Sequence, residues 1–76
     1  MSKKYNVLFT WDDDVDVWIA TSKDIPGLVL EDESFDALLR EVSLAAPTLL
    51  ELNKNVRADI TLDLSVYRQE RLAYSG

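Results

Sequence analysis

The chain has 76 residues, a formal net charge of −6, and neither cysteine nor histidine. This length predicts a single domain over residues 1–76, with a core at about 4–67 and a tail at 68–76 whose order the sequence does not settle. Without cysteine and histidine, disulfides, thiolate zinc sites and imidazole catalysis are excluded. The negative charge also disfavours direct nucleic-acid binding, which depends on lysine and arginine meeting phosphates.

The first third of the chain predicts three strands. Residues 5–11 and 15–22 alternate in hydrophobicity and form a hairpin with aspartates at its loop. Trp11 and Trp18 flank that loop and are expected to pack in the core or across the strands, although exposed tryptophans could instead anchor a protein interface. A Pro-Gly turn then leads into a short third strand at 28–30, which Glu31, Asp32 and Glu33 are expected to end.

A long amphipathic helix follows. Ser34 is a good N-cap, and apolar residues then recur at spacings of three and four. Pro47 interrupts this stripe and predicts either a kink or a helix that stops near Ala45 and restarts with Pro47 at its first position. The stripe consists of Phe35, Leu38, Leu39, Val42, Ala45, Ala46 and Leu49.

The last segment, residues 56–66, predicts a strand longer than the usual ~5–6 residues. One face is apolar, so the strand offers a wall for the core and an edge for a partner. The predicted fold is a two-layer α+β sandwich in the order β-β-β-α-β, an antiparallel sheet with one kinked helix on one face. The apolar face comprises Val56, Ala58, Ile60, Leu62, Leu64 and Val66, of which the last four are the candidate dimer or sheet-edge residues.

The size and hydropathy of the chain suggest its assembly and location. Oligomerisation often compensates for so small a core, and a homodimer or higher oligomer is expected. The longest apolar run, residues 44–50, is far shorter than the ~20 residues that cross a bilayer. We therefore expect a cytoplasmic protein with no membrane contact.

Negative charge is concentrated in one region. Residues 12–36 hold nine acids and one base, a formal charge of −8, and the rest of the chain is +2. Solvated turns and helix caps are one interpretation, and a footprint for a basic partner is another. A metal site is disfavoured because the spacing lacks the calcium-loop pattern, so we assign no catalytic, cofactor or metal residues. The candidate partner-binding residues are Asp12, Asp13, Asp14, Asp16, Glu31, Asp32 and Glu33.

Several of these segments together resemble the HicB-like antitoxin domains. They are Trp11-Asp12, residues 17–22, and the turn Asp24-Ile25-Pro26-Gly27 with Leu28, followed by an acidic turn before an amphipathic helix. The chain looks closest to a small uncharacterised prokaryotic family grouped with those domains, which also shares the helix end at 46–53. The resemblance covers residues 4–67, and the Asp-Ile-Pro-Gly turn is its most specific part.

The resemblance implies a partner rather than a reaction. HicB-like antitoxins neutralise small basic HicA-like ribonuclease toxins by covering the toxin active site, and they usually oligomerise through the sheet. The chain is therefore expected to be a non-enzymatic antitoxin-type protein. A stand-alone dimeric interaction module of the same fold is the alternative. Full HicB antitoxins usually carry a further DNA-binding module after the last strand, which residues 67–76 do not supply, so DNA binding by this chain alone is not expected.

Overall fold

A computed structural model describes residues 3–76 and contains four strands and one helix. In chain order these are β1 (Lys3–Asp12), β2 (Val17–Thr21), β3 (Val29–Asp32), α1 (Phe35–Lys54) and β4 (Ile60–Tyr67). The predicted α+β class and β-β-β-α-β order are confirmed. Residues 1 and 2 of the expected domain lie outside the described residues.

The four strands form one open sheet in the order β3-β2-β1-β4. β2 is antiparallel to both β1 and β3, but β4 is parallel to β1, so that Lys3 pairs with Ile60 and Thr10 with Tyr67. The sheet is therefore mixed, and the expectation of a wholly antiparallel sheet is wrong for the last strand. The reason is that α1 carries the chain back along the sheet, and β4 then starts beside the beginning of β1.

The core lies between α1 and one face of the sheet. Alternate residues of β1 point into it, and Phe9 at its centre is fully buried beside Ala20 of β2. α1 contributes Leu38, Val42 and Ala46 of its predicted stripe as buried residues, and Leu50, one turn after Ala46, is buried as well. The buried residues are Tyr5, Val7, Phe9, Ala20, Ile25, Leu28, Leu38, Val42, Ala46 and Leu50.

α1 continues through Pro47 without interruption. Of the two alternatives at Pro47, the stop near Ala45 is therefore wrong, and the kink stays a prediction. Ala46 and Leu50 are both fully buried on either side of the proline, while Pro47 itself is exposed. Burial of an apolar stripe on both sides offsets the cost of ~3 kcal/mol that a proline carries inside a helix. Ser34 is the N-cap as predicted, and its Oγ accepts a hydrogen bond from the Ala37 N–H at 3.2 Å.

The end of α1 explains why the last strand starts later than expected. Asn55 adopts the left-handed conformation with φ of 54°, and its N–H donates to the Glu51 carbonyl at 3.1 Å. The left-handed Asn55 with its bond to Glu51 forms an αL cap, and the N–H of Val56 donates to the Leu50 carbonyl at 3.1 Å. Val56 thus belongs to the helix end, Ala58 is exposed, and β4 begins at Ile60.

The bounds of β2 and β3 also differ from the prediction. Val15 lies in the turn before β2 and is 62% exposed, so the predicted start of that strand is two residues early. Glu31 and Asp32, which were expected to end the third strand, lie within β3. For β2 the alternation continued past the residues that pair, whereas for β3 the acidic residues were read as a strand end although they pair with β2.

Candidate partner-binding surface

The sheet brings the two acidic segments to the same end. Asp12 pairs with Val17, and the next residue of β2, Trp18, pairs with Asp32. Lys23 and Asp24 follow β2 at the opposite end, so the negative charge near the hairpin loop has no nearby lysine from residues 12–36. We call this surface the acidic end, and it unites Asp12, Asp13, Asp14, Asp16, Glu31, Asp32 and Glu33.

The hairpin turn uses two of its aspartates for backbone geometry. Asp12 Oδ1 accepts a hydrogen bond from the Asp14 N–H at 2.9 Å, an Asx turn. Asp16 has a φ of 55°, a left-handed conformation that aspartate tolerates better than most residues. Asp13 and Asp14 are exposed at the tip and present their carboxylates to solvent. The turn therefore combines structural acids with acids available to a partner.

The second acidic segment points in two directions. Glu31 pairs with Ile19 on the outer face of the sheet, whereas Asp32 pairs with Trp18 on the helix side. Asp32 Oδ1 accepts the Ser34 N–H at 2.8 Å, which holds the entry to α1. A hydrogen bond with Asp32 also raises the pKa of Glu41. Glu33 is exposed between these anchored groups.

An aromatic row lies beside the acidic end. The indole rings of Trp11 and Trp18 meet edge to face with centroids 5.4 Å apart, and Trp18 also meets Phe35 at 5.1 Å. Both tryptophans are half-buried, so the expected cross-strand packing is confirmed. The guanidinium carbon of Arg68 lies 4.4 Å from the Trp11 ring centroid and 5.7 Å from that of Trp18.

Arg68 was not among the residues predicted from the sequence. Tyr67 pairs with Thr10 at the end of β4, so Arg68 comes next to Trp11 and on the same side of the sheet as Val66. The period-two pattern of the last strand, continued by two residues from Val66, was the signal that could have found it. It remained hidden because the pairing of β4 with β1 is not encoded locally.

The Asp-Ile-Pro-Gly turn holds β1, β2 and α1 together at the opposite end of the sheet. Asp24 Oδ2 accepts hydrogen bonds from the Asn6 backbone N–H at 2.7 Å and from Asn6 Nδ2 at 3.1 Å. The Ser22 hydroxyl donates to the Asn6 carbonyl and accepts the N–H groups of Asp24 and Ile25, each at 3.0 Å. The Asp-Ile-Pro-Gly turn, the most specific motif of the resemblance, thus stabilises the packing of these elements.

The rest of the turn fastens it to the helix. Ile25 is fully buried, and Gly27 has a φ of +83° that favours glycine. Asn53 Nδ2 donates to the Pro26 carbonyl at 3.2 Å. The hydrogen bonds from the Asn6 backbone and side chain lower the pKa of Asp24, and the positive charge of Lys54 contributes in the same direction.

β4 forms one edge of the sheet and carries an apolar stripe that α1 covers only in part. Ile60 and Leu62 are half-buried and pack against the core. Leu64 and Val66, on the same side, are 43% and 55% exposed. Residues 68–76 add no helix or strand, and leave Leu72 and Tyr74 largely exposed. The stripe is thus an apolar surface beside a strand edge.

The described residues form surface depressions but no metal-binding cluster. Within residues 3–76, no group of three or more acidic side chains is arranged to hold a metal ion. A depression of about 240 Å³ lies between Asn6, Asp24 and Ser65, away from the acidic end. A wider one of about 530 Å³ lies beside α1, between Leu30, Glu41 and Thr48. In the same part of the chain there is no helix with the length and hydropathy to span a membrane.

A known family and a solved structure share these elements. A family model described as a domain of unknown function, DUF1902, matches residues 4–75. The chain belongs to the DUF1902 family. The resemblance to an uncharacterised family is thereby supported at that level. The DUF1902 domain is also similar to the crystal structure of a hypothetical protein, TTHA1013, from the extremely thermophilic bacterium Thermus thermophilus. The two share 31% sequence identity and a TM-score of 0.69 over 93% of this chain and 99% of the other. No curated protein matches the sequence significantly.

Proposed function

We propose that the chain is a non-enzymatic, HicB-like antitoxin-type protein of the cytoplasm that binds and neutralises a small basic HicA-like ribonuclease toxin. The observation that carries this proposal is the meeting of two acidic segments at one end of the sheet. The two segments are separate in the sequence, and the pairing of β2 with β1 and β3 brings them together. A surface of one charge sign steers encounter with an oppositely charged partner and rejects partners of like charge.

The acidic end has features that suit protein recognition more than catalysis. Asp13, Asp14 and Glu33 are exposed, while Asp12 and Asp32 are held by local hydrogen bonds. Fixed acids define the shape of the surface, and exposed acids are free to pair with lysine or arginine. The half-buried tryptophans beside them add apolar area of the type that is enriched at the centres of interfaces.

A second surface supports self-association. Leu64 and Val66 leave apolar area exposed next to the free side of β4, and strand pairing at such an edge is a common way to join chains. We therefore include a homodimer or higher oligomer in the proposal, with Ile60, Leu62, Leu64 and Val66 at the junction. This surface also favours the alternative function, a stand-alone dimeric interaction module without a toxin partner.

The experiment pairs this protein with the product of the neighbouring small gene, provided that the neighbouring product is basic. We expect co-purification, and rescue of growth when that product is toxic. The double variant Asp13→Asn, Asp14→Asn should slow association, and the effect should fade as ionic strength rises, because charge steering is screened over about 10 Å at 0.1 M salt.

A matched control separates local charge from net charge. Asp59→Asn, Asp63→Asn removes the same two charges from exposed positions away from the acidic end. We expect it to bind like the unmodified protein. Equal loss in both double variants would contradict a role for the acidic end. The absence of both binding and rescue would remove the antitoxin proposal. A dimeric mass in sedimentation would then leave the interaction-module alternative, whereas a mass of 8.6 kDa would exclude the oligomer as well.

A further inference from the structure

The strongest unexplained feature is the position of Arg68. β4 ends at Tyr67, and the next side chain lays its guanidinium over two indole rings, closer to Trp11 at 4.4 Å than to Trp18 at 5.7 Å. On the other side of Trp18 lies Asp32, its partner in the register of β2 and β3. A cation, two indoles and a carboxylate therefore form one row across the sheet at the acidic end.

Arg68 is held loosely in this row. Its side chain is 42% exposed, and it lies in a segment without regular secondary structure. It also pairs with Glu70 at 3.9 Å, but the side chain of Glu70 is 68% exposed, and exposed pairs of this kind contribute little. A competing cation could therefore displace Arg68 at small cost and would meet the same rings and the same surrounding negative charge.

The chemistry of the row selects for a guanidinium group. Arginine is planar and weakly hydrated, so it stacks on an indole face more readily than the compact, strongly hydrated ammonium of lysine. Asp12, Asp13, Asp14 and Asp16 in the adjoining turn add long-range attraction for any cation. The indoles would then provide the discrimination that charge alone does not.

We propose that Trp11 and Trp18 form an arginine-binding site, which Arg68 occupies in the free protein and which an arginine side chain of a basic partner takes over on binding. The inference rests on the proposed function for the identity of the partner, but not for the site itself. Arg68 thus competes with the ligand for the indole rings, and weakly binding or lysine-rich ligands do not displace it.

The test uses the full chain and two peptides of equal charge, hexa-arginine and hexalysine. The sequence contains only two tryptophans, so two indole N–H signals in an NMR spectrum report on the site directly. Arg68→Ala should bind hexa-arginine about two- to five-fold more tightly than the unmodified protein, as expected for release of one exposed cation–π contact. Hexa-arginine should shift both indole signals, and hexalysine should gain less affinity from the substitution.

Arg71→Ala is the control, because it removes the same charge from an exposed residue of the same segment that does not lie over the indoles. If Arg68→Ala and Arg71→Ala increase the affinity for hexa-arginine equally, or if the indole signals do not respond to hexa-arginine, the proposed site is wrong. If Arg68→Ala increases the affinity for hexa-arginine and for hexalysine equally, the site has no preference for arginine. A protein that binds hexa-arginine at the indoles but not the neighbouring gene product keeps the site and loses the proposed toxin partner.

Discussion

Leu50→Ala probes the part of α1 that lies beyond Pro47. Leu50 is fully buried, three residues after the proline and one turn after the buried Ala46. Leucine-to-alanine substitutions at fully buried positions cost about 2–5 kcal/mol, because transfer energy is lost and a cavity is left. Alanine is the best helix former, so the substitution does not weaken the helix itself.

The expected loss is large for a protein of this size. At about 0.05–0.15 kcal/mol per residue, a 76-residue chain has a free energy of unfolding of about 4–11 kcal/mol. A loss near 3 kcal/mol would lower the melting temperature by about 12–24 °C. Urea unfolding followed by circular dichroism should therefore show a clearly lower midpoint with an unchanged slope.

Leu52→Ala is the matched control, since Leu52 lies two residues further along the same helix and is 76% exposed. The same chemical change there should alter the free energy of unfolding by no more than about 0.5 kcal/mol. If the two variants unfold at the same urea concentration, the stripe does not continue past Pro47. The account of why the helix tolerates its proline would then fail.

Two further predictions concern the turn and the last strand. Hydrogen bonds from Asn6 lower the pKa of Asp24 in the folded state, so its ionised form stabilises the fold above its ordinary pKa of 3.8 and that contribution is lost as the pH falls further. Asp24→Asn should therefore lower the free energy of unfolding at pH 7. The difference in free energy of unfolding between the variant and the unmodified chain, measured by urea titration, should become smaller below pH 3.8; a difference that does not change with pH would contradict the charge argument. Leu62→Asp should unfold the protein or disrupt its assembly, because it puts a charge against Tyr5 and the core. Ser65→Asp, on the other face, should leave the melting temperature and the size-exclusion mass nearly unchanged, and equal behaviour of the two variants would show that the face is misassigned.

The fold was predictable where side-chain patterns are local. Alternation located most of β1 and all of β2, and spacings of three and four located the helix with its Ser34 cap. The helix stop that was one alternative at Pro47 did not occur, because the outcome depended on how much of the stripe the sheet could bury. The alternation of β4 also did not predict its direction in the sheet, since alternation determines which residues lie on each face of a strand but not which strand pairs with it.

The candidate surface shows a similar division. The composition of residues 12–36 showed that acids are concentrated there. It did not show that the register of β2 places Asp12 and Asp32 at one end of the sheet and Asp24 at the other. Asn6, which binds Asp24 across 18 positions of sequence, had no local signal at all. Long-range pairing decided which charged residues share a surface.

The parallel pairing of β1 and β4 has a consequence for the timing of folding. Residues 3–10 of β1 each pair with a residue 57 positions later, as Lys3 does with Ile60. At ~5–20 residues per second, a ribosome needs roughly 3–11 s to make that intervening stretch, whereas the β1–β2 hairpin can form in ~1–10 μs. For those seconds the backbone N–H and C=O groups on that edge of β1 have no strand to pair with. The nascent chain is then most exposed to aggregation and to chaperones, before β4 closes that side of the sheet.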